Sequence, residues 1–214
     1  MDGNRRYATK QGWAKTAGHR AGLDNLHEIV HHLNAKKVET ISVYALSTEN
    51  WNRSALEVQV LEGLIRTLLF KEKDGLLGYD RAIRFVGDLS CFEKDIQGAM
   101  NEMEQETASK TNTIFICLSY GGRLEMVHAA RALAKSGAEY SEENLYKHMW
   151  SHDMPDIDLL IRTGGDQRLS NYLPWQASYA ELCFTDTLWP ELSLDEIDKI
   201  MEGYLDRVRI NKGK

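Results

Sequence analysis

What most constrains the fold is a repeated change of apolar period along the chain. Residues 40–45, 82–86, 113–118, 159–163 and 181–184 are short runs rich in β-branched or aromatic residues that read as strands. Between them apolar residues recur at helical spacing, as in Leu23, Leu26, Ile29, Val30 and Leu33, or in Phe92, Ile96, Ala99, Met100 and Met103. The same period predicts a helix over 58–70, a helix through Val127, Ala130 and Leu133, and another with Ile197, Ile200, Met201 and Tyr204. Ser54 with Glu57, and Ser193 with Glu196, form S-x-x-E capping boxes that open two of these helices. The TIFICL run at 113–118 has no charge to place on a wet face, which predicts a strand buried on both sides. Strands alternating with helices predict an α/β fold with a mainly parallel sheet.

In such sheets ligands bind beyond the carboxyl ends of the strands. The polar blocks fall there: MDGNRR precedes the first helix, and STENWNR, SYGGR and RTGGDQRLSN each follow a strand. Neither the dinucleotide fingerprint nor the Walker pattern occurs, so the common nucleotide readings lose their main support. Asp2-Gly3-Asn4-Arg5-Arg6 suits a diphosphate with Mg²⁺, since it joins a carboxylate, a flexible glycine and two guanidinium groups. An Asx turn with two solvated arginines explains the same block. In the loop after 159–163, Arg162, Arg168 and the Ser170 hydroxyl could fork around phosphate oxygens while Gly164 and Gly165 admit them to the backbone. Its alternative is a Gly-Gly turn with surface arginines. STENWNR is either a site lining or a polar loop pinned by Trp51. His31 and His32 are adjacent rather than four apart and read as surface residues, and Cys117 and Cys183 as small core residues.

Composition removes several classes. The 214 residues suit one domain, and 26 basic against 32 acidic residues give a net charge of −6, which disfavours a general grip on nucleic acid. Three cysteines without CxxC spacing argue against a disulfide framework and place the chain in a reducing cytoplasm. No apolar stretch is long enough to span a bilayer and no signal peptide opens the chain.

Taken in order, MDGNRRYA, GHRAG, STENWNR, YGGR, IRTGGDQRLSN and AELCFTDTLWP resemble the signature blocks of cis-prenyltransferases of the undecaprenyl diphosphate synthase type. They run from Asp2 to Pro190, and their joint occurrence is specific where any one alone is weak. The resemblance implies a single catalytic domain over residues 1–214, with a central mainly parallel sheet flanked by helices, a hydrophobic tunnel and usually a homodimer. It also implies a Mg²⁺-dependent enzyme that condenses isopentenyl diphosphate onto an allylic diphosphate such as farnesyl diphosphate, giving a cis-polyprenyl diphosphate. The lipid product implies peripheral membrane contact from the cytoplasm.

Carried over by motif, Asp2 is the catalytic metal-diphosphate ligand, and Gly3, Asn4, Arg5 and Arg6 cradle the allylic diphosphate with His19. Tyr7 and Lys15 belong to the same substrate site, Lys15 standing where many members have Arg. Ser47, Thr48 and Glu49 line the allylic site, Asn50 assists proton removal, and Trp51 and Arg53 position substrate. Arg162, Arg168, Leu169 and Ser170 bind isopentenyl diphosphate, and Glu181 completes the metal site. The hydrophobic strand that the family carries ahead of its MDGN block is expected to be missing, since Met1 opens that block. The Arg-rich stretch 207–214 only loosely resembles a family tail that can reach a partner's active site.

Overall fold

Each of the five strand-like runs forms a strand in the computed structural model, which describes residues 1–52 and 54–212. In chain order the elements are α1 (Asn4–Lys10), α2 (Lys15–Ala35), β1 (Thr40–Tyr44), α3 (Ala55–Arg66), α4 (Lys73–Leu77), β2 (Ala82–Val86), α5 (Lys94–Thr107), β3 (Thr113–Cys117), α6 (Gly122–Ser136), α7 (Glu142–Lys147), β4 (Leu159–Arg162), β5 (Glu181–Phe184) and α8 (Leu194–Lys212). Every strand pairing is parallel, as alternation with helices requires. The chain divides into two compact units.

The first unit comprises Lys37–Pro155 and Ser170–Trp175. Its sheet has the order β1-β3-β2, so the charge-free strand takes the centre. Ile114, Phe115, Ile116 and Cys117 are all at most 2% exposed. β2 lies at an edge, and α5 covers its outward N–H groups: Ile83 N–H donates to Thr107 Oγ1 at 2.9 Å and Phe85 N–H to Glu104 Oε1 at 2.7 Å. This blunts an edge that would otherwise template pairing with another chain. At the opposite end of the strands, the buried Arg81 guanidinium donates to the carbonyls of Val38, Glu39 and Thr113.

One helical expectation is corrected in this unit and another holds. The helix predicted over 58–70 is α-helical only to Arg66; a π-helical turn follows at Thr67–Lys71, where the Thr67 hydroxyl donates back to the Gly63 carbonyl at 2.9 Å. α6 forms through Val127, Ala130 and Leu133 as their spacing predicts; it buries Gly122, Glu125, Ala129 and Leu133, while Val127, 47% exposed, and Ala130 lie on its outer side.

The second unit comprises Met1–Lys36, Asp156–Leu169 and the chain from Gln176 onward. β4 pairs with β5, and α1 packs against α2. That packing is close: a Cβ on Gly18 would lie 2.0 Å from the Asn4 carbonyl oxygen, and one on Gly22 would lie 2.1 Å from Asn4 Oδ1 and displace it. Trp189 Nε1–H then donates to the Gly22 carbonyl at 2.7 Å and Asn25 Nδ2–H to the Trp189 carbonyl at 2.6 Å. His32 is not a free surface residue, since its Nε2 lies 2.8 Å from Asp198 Oδ1. The Ser193 cap forms, with Glu196 N–H donating to its Oγ at 3.2 Å, but the Glu196 carboxylate accepts from the Thr185 and Thr187 hydroxyls instead of reaching back. Among the described residues no helix is long and apolar enough to cross a membrane.

Candidate active site

In the second unit the segment ahead of α1 is held by the loops that follow β4 and β5. Asp2 N–H donates to Thr163 Oγ1 at 2.9 Å, and the same hydroxyl donates to the Asp2 carbonyl at 2.8 Å. Trp189 N–H donates to that carbonyl as well, at 2.9 Å. The backbone then turns through Gly3 at φ 109°, a left-handed conformation in which a side chain would also strike Leu188 at 2.9 Å. Sequence and geometry agree here: the glycine of MDGN lets α1 start directly after an anchored aspartate.

The carboxylate so placed meets the arginines of the other block. Arg162 Nη2 lies 3.0 Å from Asp2 Oδ2 and 3.1 Å from Asp166 Oδ2, and Arg168 Nη2 is 2.6 Å from the same Asp166 oxygen. Arg6 Nη2 stands 3.5 Å from Asp2 Oδ1 while its Nη1 donates to the Gly164 carbonyl at 2.7 Å. Burial alone would raise the Asp2 carboxyl, but the hydrogen-bonded Arg162 guanidinium, and then Arg6, outweigh it and hold the group below the ordinary carboxylate range. Asn4, Arg5, Arg6 and Tyr7 lie on α1 and His19 on α2; Asn4 Nδ2 donates to the Met1 carbonyl at 3.3 Å. Leu169 lies in the loop after β4. The side chain of Lys15 and the whole of Arg53 lie outside the described residues.

Glu181 is placed differently. It opens β5 in register with Leu159, while Arg162 at the far end of β4 pairs with Phe184. The two ends are about 10 Å apart along the strands. Glu181 Oε2 accepts from Arg207 Nε at 2.7 Å, while the Asp2 carboxylate is paired with Arg162 and Arg6. Among the described residues no group of three or more His, Cys, Asp or Glu gathers as a metal cluster.

In the first unit the loop after β1 is built on the loop after β3. Ser47 bridges to Tyr120, and Thr48 N–H donates to the Tyr120 carbonyl at 2.9 Å. Ser47 N–H donates to Asn50 Oδ1 at 3.1 Å, and Trp51 Nε1–H donates to Ser119 Oγ at 2.9 Å. For Glu49, burial works to raise the carboxyl, and hydrogen bonds from its own N–H, Asn171, Ser47 and Thr48 bring it below its ordinary value instead. Ser170 belongs to this unit, with φ 49°.

Several residues that sequence reasoning missed organise these loops. Thr163 anchors Asp2, and Asp166 bridges Arg162 and Arg168. Glu125, fully buried, accepts from the Tyr120 hydroxyl and from the Ser151 N–H and hydroxyl. Asn171 joins α6 to the loop after β1. Only Asp166, set between two arginines, carried a signal in the sequence.

A family model described as "Putative undecaprenyl diphosphate synthase" matches residues 1–211. The ditrans,polycis-undecaprenyl-diphosphate synthase of Acinetobacter baylyi, specific for (2E,6E)-farnesyl diphosphate, is 41% identical over 98% of this chain and 87% of its own length. The isoprenyl transferase of Wolinella succinogenes is 39% identical over 98% of this chain and 92% of its own. Among solved structures, lavandulyl diphosphate synthase from Lavandula x intermedia, in complex with dimethylallyl diphosphate, superposes with a TM-score of 0.86 at 28% identity, over 95% of this chain and 92% of that one.

Proposed function

The chain belongs to the cis-prenyltransferase family and transfers prenyl groups, condensing isopentenyl diphosphate onto an allylic diphosphate; from that premise we propose that farnesyl diphosphate is its primer and that the residues above carry the reaction. What supports the assignment is the network of Asp2, Arg6, Arg162, Asp166 and Arg168, which gathers cationic groups beside an anchored carboxylate. Arg5 and Arg6 would bind the allylic diphosphate, with Gly3, Asn4, Tyr7, Lys15 and His19, and so stabilise charge that builds as the C–O bond breaks. Arg162, Arg168, Leu169 and Ser170 would hold isopentenyl diphosphate by its diphosphate, leaving its alkene free to attack the allylic carbon. Loss of a proton from the new cation completes the cis double bond, with Asn50 assisting and with Ser47, Thr48, Glu49, Trp51 and Arg53 positioning the allylic substrate.

The donor set fits Mg²⁺, a hard cation that commonly takes one or two protein carboxylates and fills its other positions with phosphate oxygens and water. Asp2, held ionised and 39% exposed at its side chain, would be that ligand, and the resemblance adds Glu181. When bound, Mg²⁺ supplies further neutralisation of the leaving diphosphate. Residues 1–214 would serve as one catalytic domain, with an apolar tunnel for the growing chain. A homodimer belongs to the same reading, and the exposed Leu124 and Val127 on α6 are apolar surface that a second copy would cover. So do a cytoplasmic location and peripheral contact with a membrane that takes up the product.

The test is incubation with labelled isopentenyl diphosphate, farnesyl diphosphate and Mg²⁺, followed by butanol extraction and chromatography by chain length. A ladder of longer prenyl diphosphates, abolished by EDTA and by Asp2→Ala, is the expected result. Products formed equally well by Asp2→Ala would overturn the role given to Asp2.

A further inference from the structure

Three residues of the segment after Arg168, Ser170, Asn171 and Leu173, have positive φ, at 49°, 65° and 43°. Asparagine is among the few residues with a side chain that visit this region readily. The turn brings every hydrogen-bonding group of Asn171 beyond its own N–H onto a neighbouring loop. Its carbonyl accepts from Gly122 N–H at 2.9 Å, and its Oδ1 accepts from Arg123 N–H at 2.9 Å, so it satisfies the first two amides of α6. Its Nδ2 donates to Glu49 Oε1 at 3.2 Å. Gly121 makes room for the arrangement, since a Cβ there would lie 2.9 Å from Asn171 Nδ2 and 2.6 Å from Thr48 Oγ1.

We infer that Asn171 is a positioning residue for prenyl transfer, fixing Glu49 to the start of α6 and to the backbone that carries Ser170. The inference rests on the functional reading above, in which Glu49 serves the allylic substrate and Ser170 serves isopentenyl diphosphate. Through Asn171, residues assigned to the two substrates share one rigid support. Its amide is needed as an acceptor on one side and a donor on the other, which no carboxylate and no hydroxyl provides in the same geometry.

Asn171→Asp separates the two duties. It retains an acceptor for Arg123 N–H and tolerates the left-handed backbone, but it sets a carboxylate against Glu49. The expected loss in kcat/KM for isopentenyl diphosphate is about 10–100-fold, with a melting temperature within a few degrees of the parent. Adding Glu49→Gln should bring the double variant to within about threefold of Glu49→Gln alone, because the amide at 49 can then donate to the carboxylate at 171. Losses that multiply, an Asn171→Asp protein with unchanged kinetics, or an activity loss that tracks the melting temperature would each overturn the inference. If Asn171→Asp does not fold, Asn171→Gly keeps the positive φ without strain and removes both side-chain bonds; its loss must be smaller on the Glu49→Ala background than on the parent, the remainder being the lost cap on Arg123 N–H. Glu49→Gln alone reports on the functional reading: full activity would remove the Glu49 charge from it while leaving the rescue criterion intact.

Discussion

Replacing Thr163 by valine tests whether Asp2 is held by the hydroxyl that touches it twice. The side chain is nearly isosteric and Thr163 is 1% exposed, so the change removes two hydrogen bonds without opening a cavity. Each bond contributes about 0.5–1.5 kcal/mol net, and a buried amide or carbonyl left without a partner costs about 1–3 kcal/mol. The Asp2 carbonyl keeps its bond from Trp189 N–H, whereas the Asp2 N–H loses the Thr163 hydroxyl, so the two effects do not simply double. The expected destabilisation is therefore about 2–4 kcal/mol, read as a fall of about 1–2 M in the urea midpoint. Thr163→Ser keeps the hydroxyl and should lose no more than about 1 kcal/mol for the missing methyl. With the backbone released, kcat/KM should fall at least about tenfold in the valine variant, since sub-ångström placement of a reacting group is lost. A valine variant as stable and as active as the parent would refute the claim that this hydroxyl anchors Asp2.

Gly22→Ala should destabilise the α1–α2 pair by about 1–3 kcal/mol, because the new methyl meets Asn4 Oδ1 at 2.1 Å, and thermal melting checks it. Burial raises the Glu104 carboxyl, with the Phe85 N–H bond opposing it. A raised folded-state value means the ionised form is disfavoured in the fold, so this group's penalty grows as pH rises from its unfolded value through its folded one. Glu104→Gln keeps the acceptor for Phe85 and should flatten stability across that window, leaving the variant at least as stable as the parent at pH 7. Glu104→Leu, which strands the N–H, should instead lose about 1–3 kcal/mol in urea unfolding.

Local chemistry was legible wherever it is decided locally. The TIFICL run announced the central strand because it carries no charge to place in water, and Ser54 capped α3 as its spacing to Glu57 required, accepting from Glu57 N–H. What sequence could not convey was long-range satisfaction of polar groups. Glu125 reads as a solvated helix residue, yet it is fully buried because Tyr120 and Ser151 supply its donors. Thr163 and Asn171 likewise act on partners more than a hundred residues away, so no spacing rule reveals them. The motif blocks named the charged residues of the candidate site, but their assembly into a network, with Arg162 at the end of β4 reaching back to Asp2, is a property of the folded chain.

The clasp on Asp2 also has a consequence in time. Its partner Thr163 lies 161 residues later in the chain. At synthesis rates of about 5–20 residues per second, the interval between making the two is roughly 8–32 s. During that interval the contiguous segment Lys37–Pro155 has the residues to complete its own sheet, with only Ser170–Trp175 of that unit still to be made. α1 and α2 can form as local helices but wait for the strands that fix them, so the residue proposed to hold the metal is made well before the residue that sets it in place.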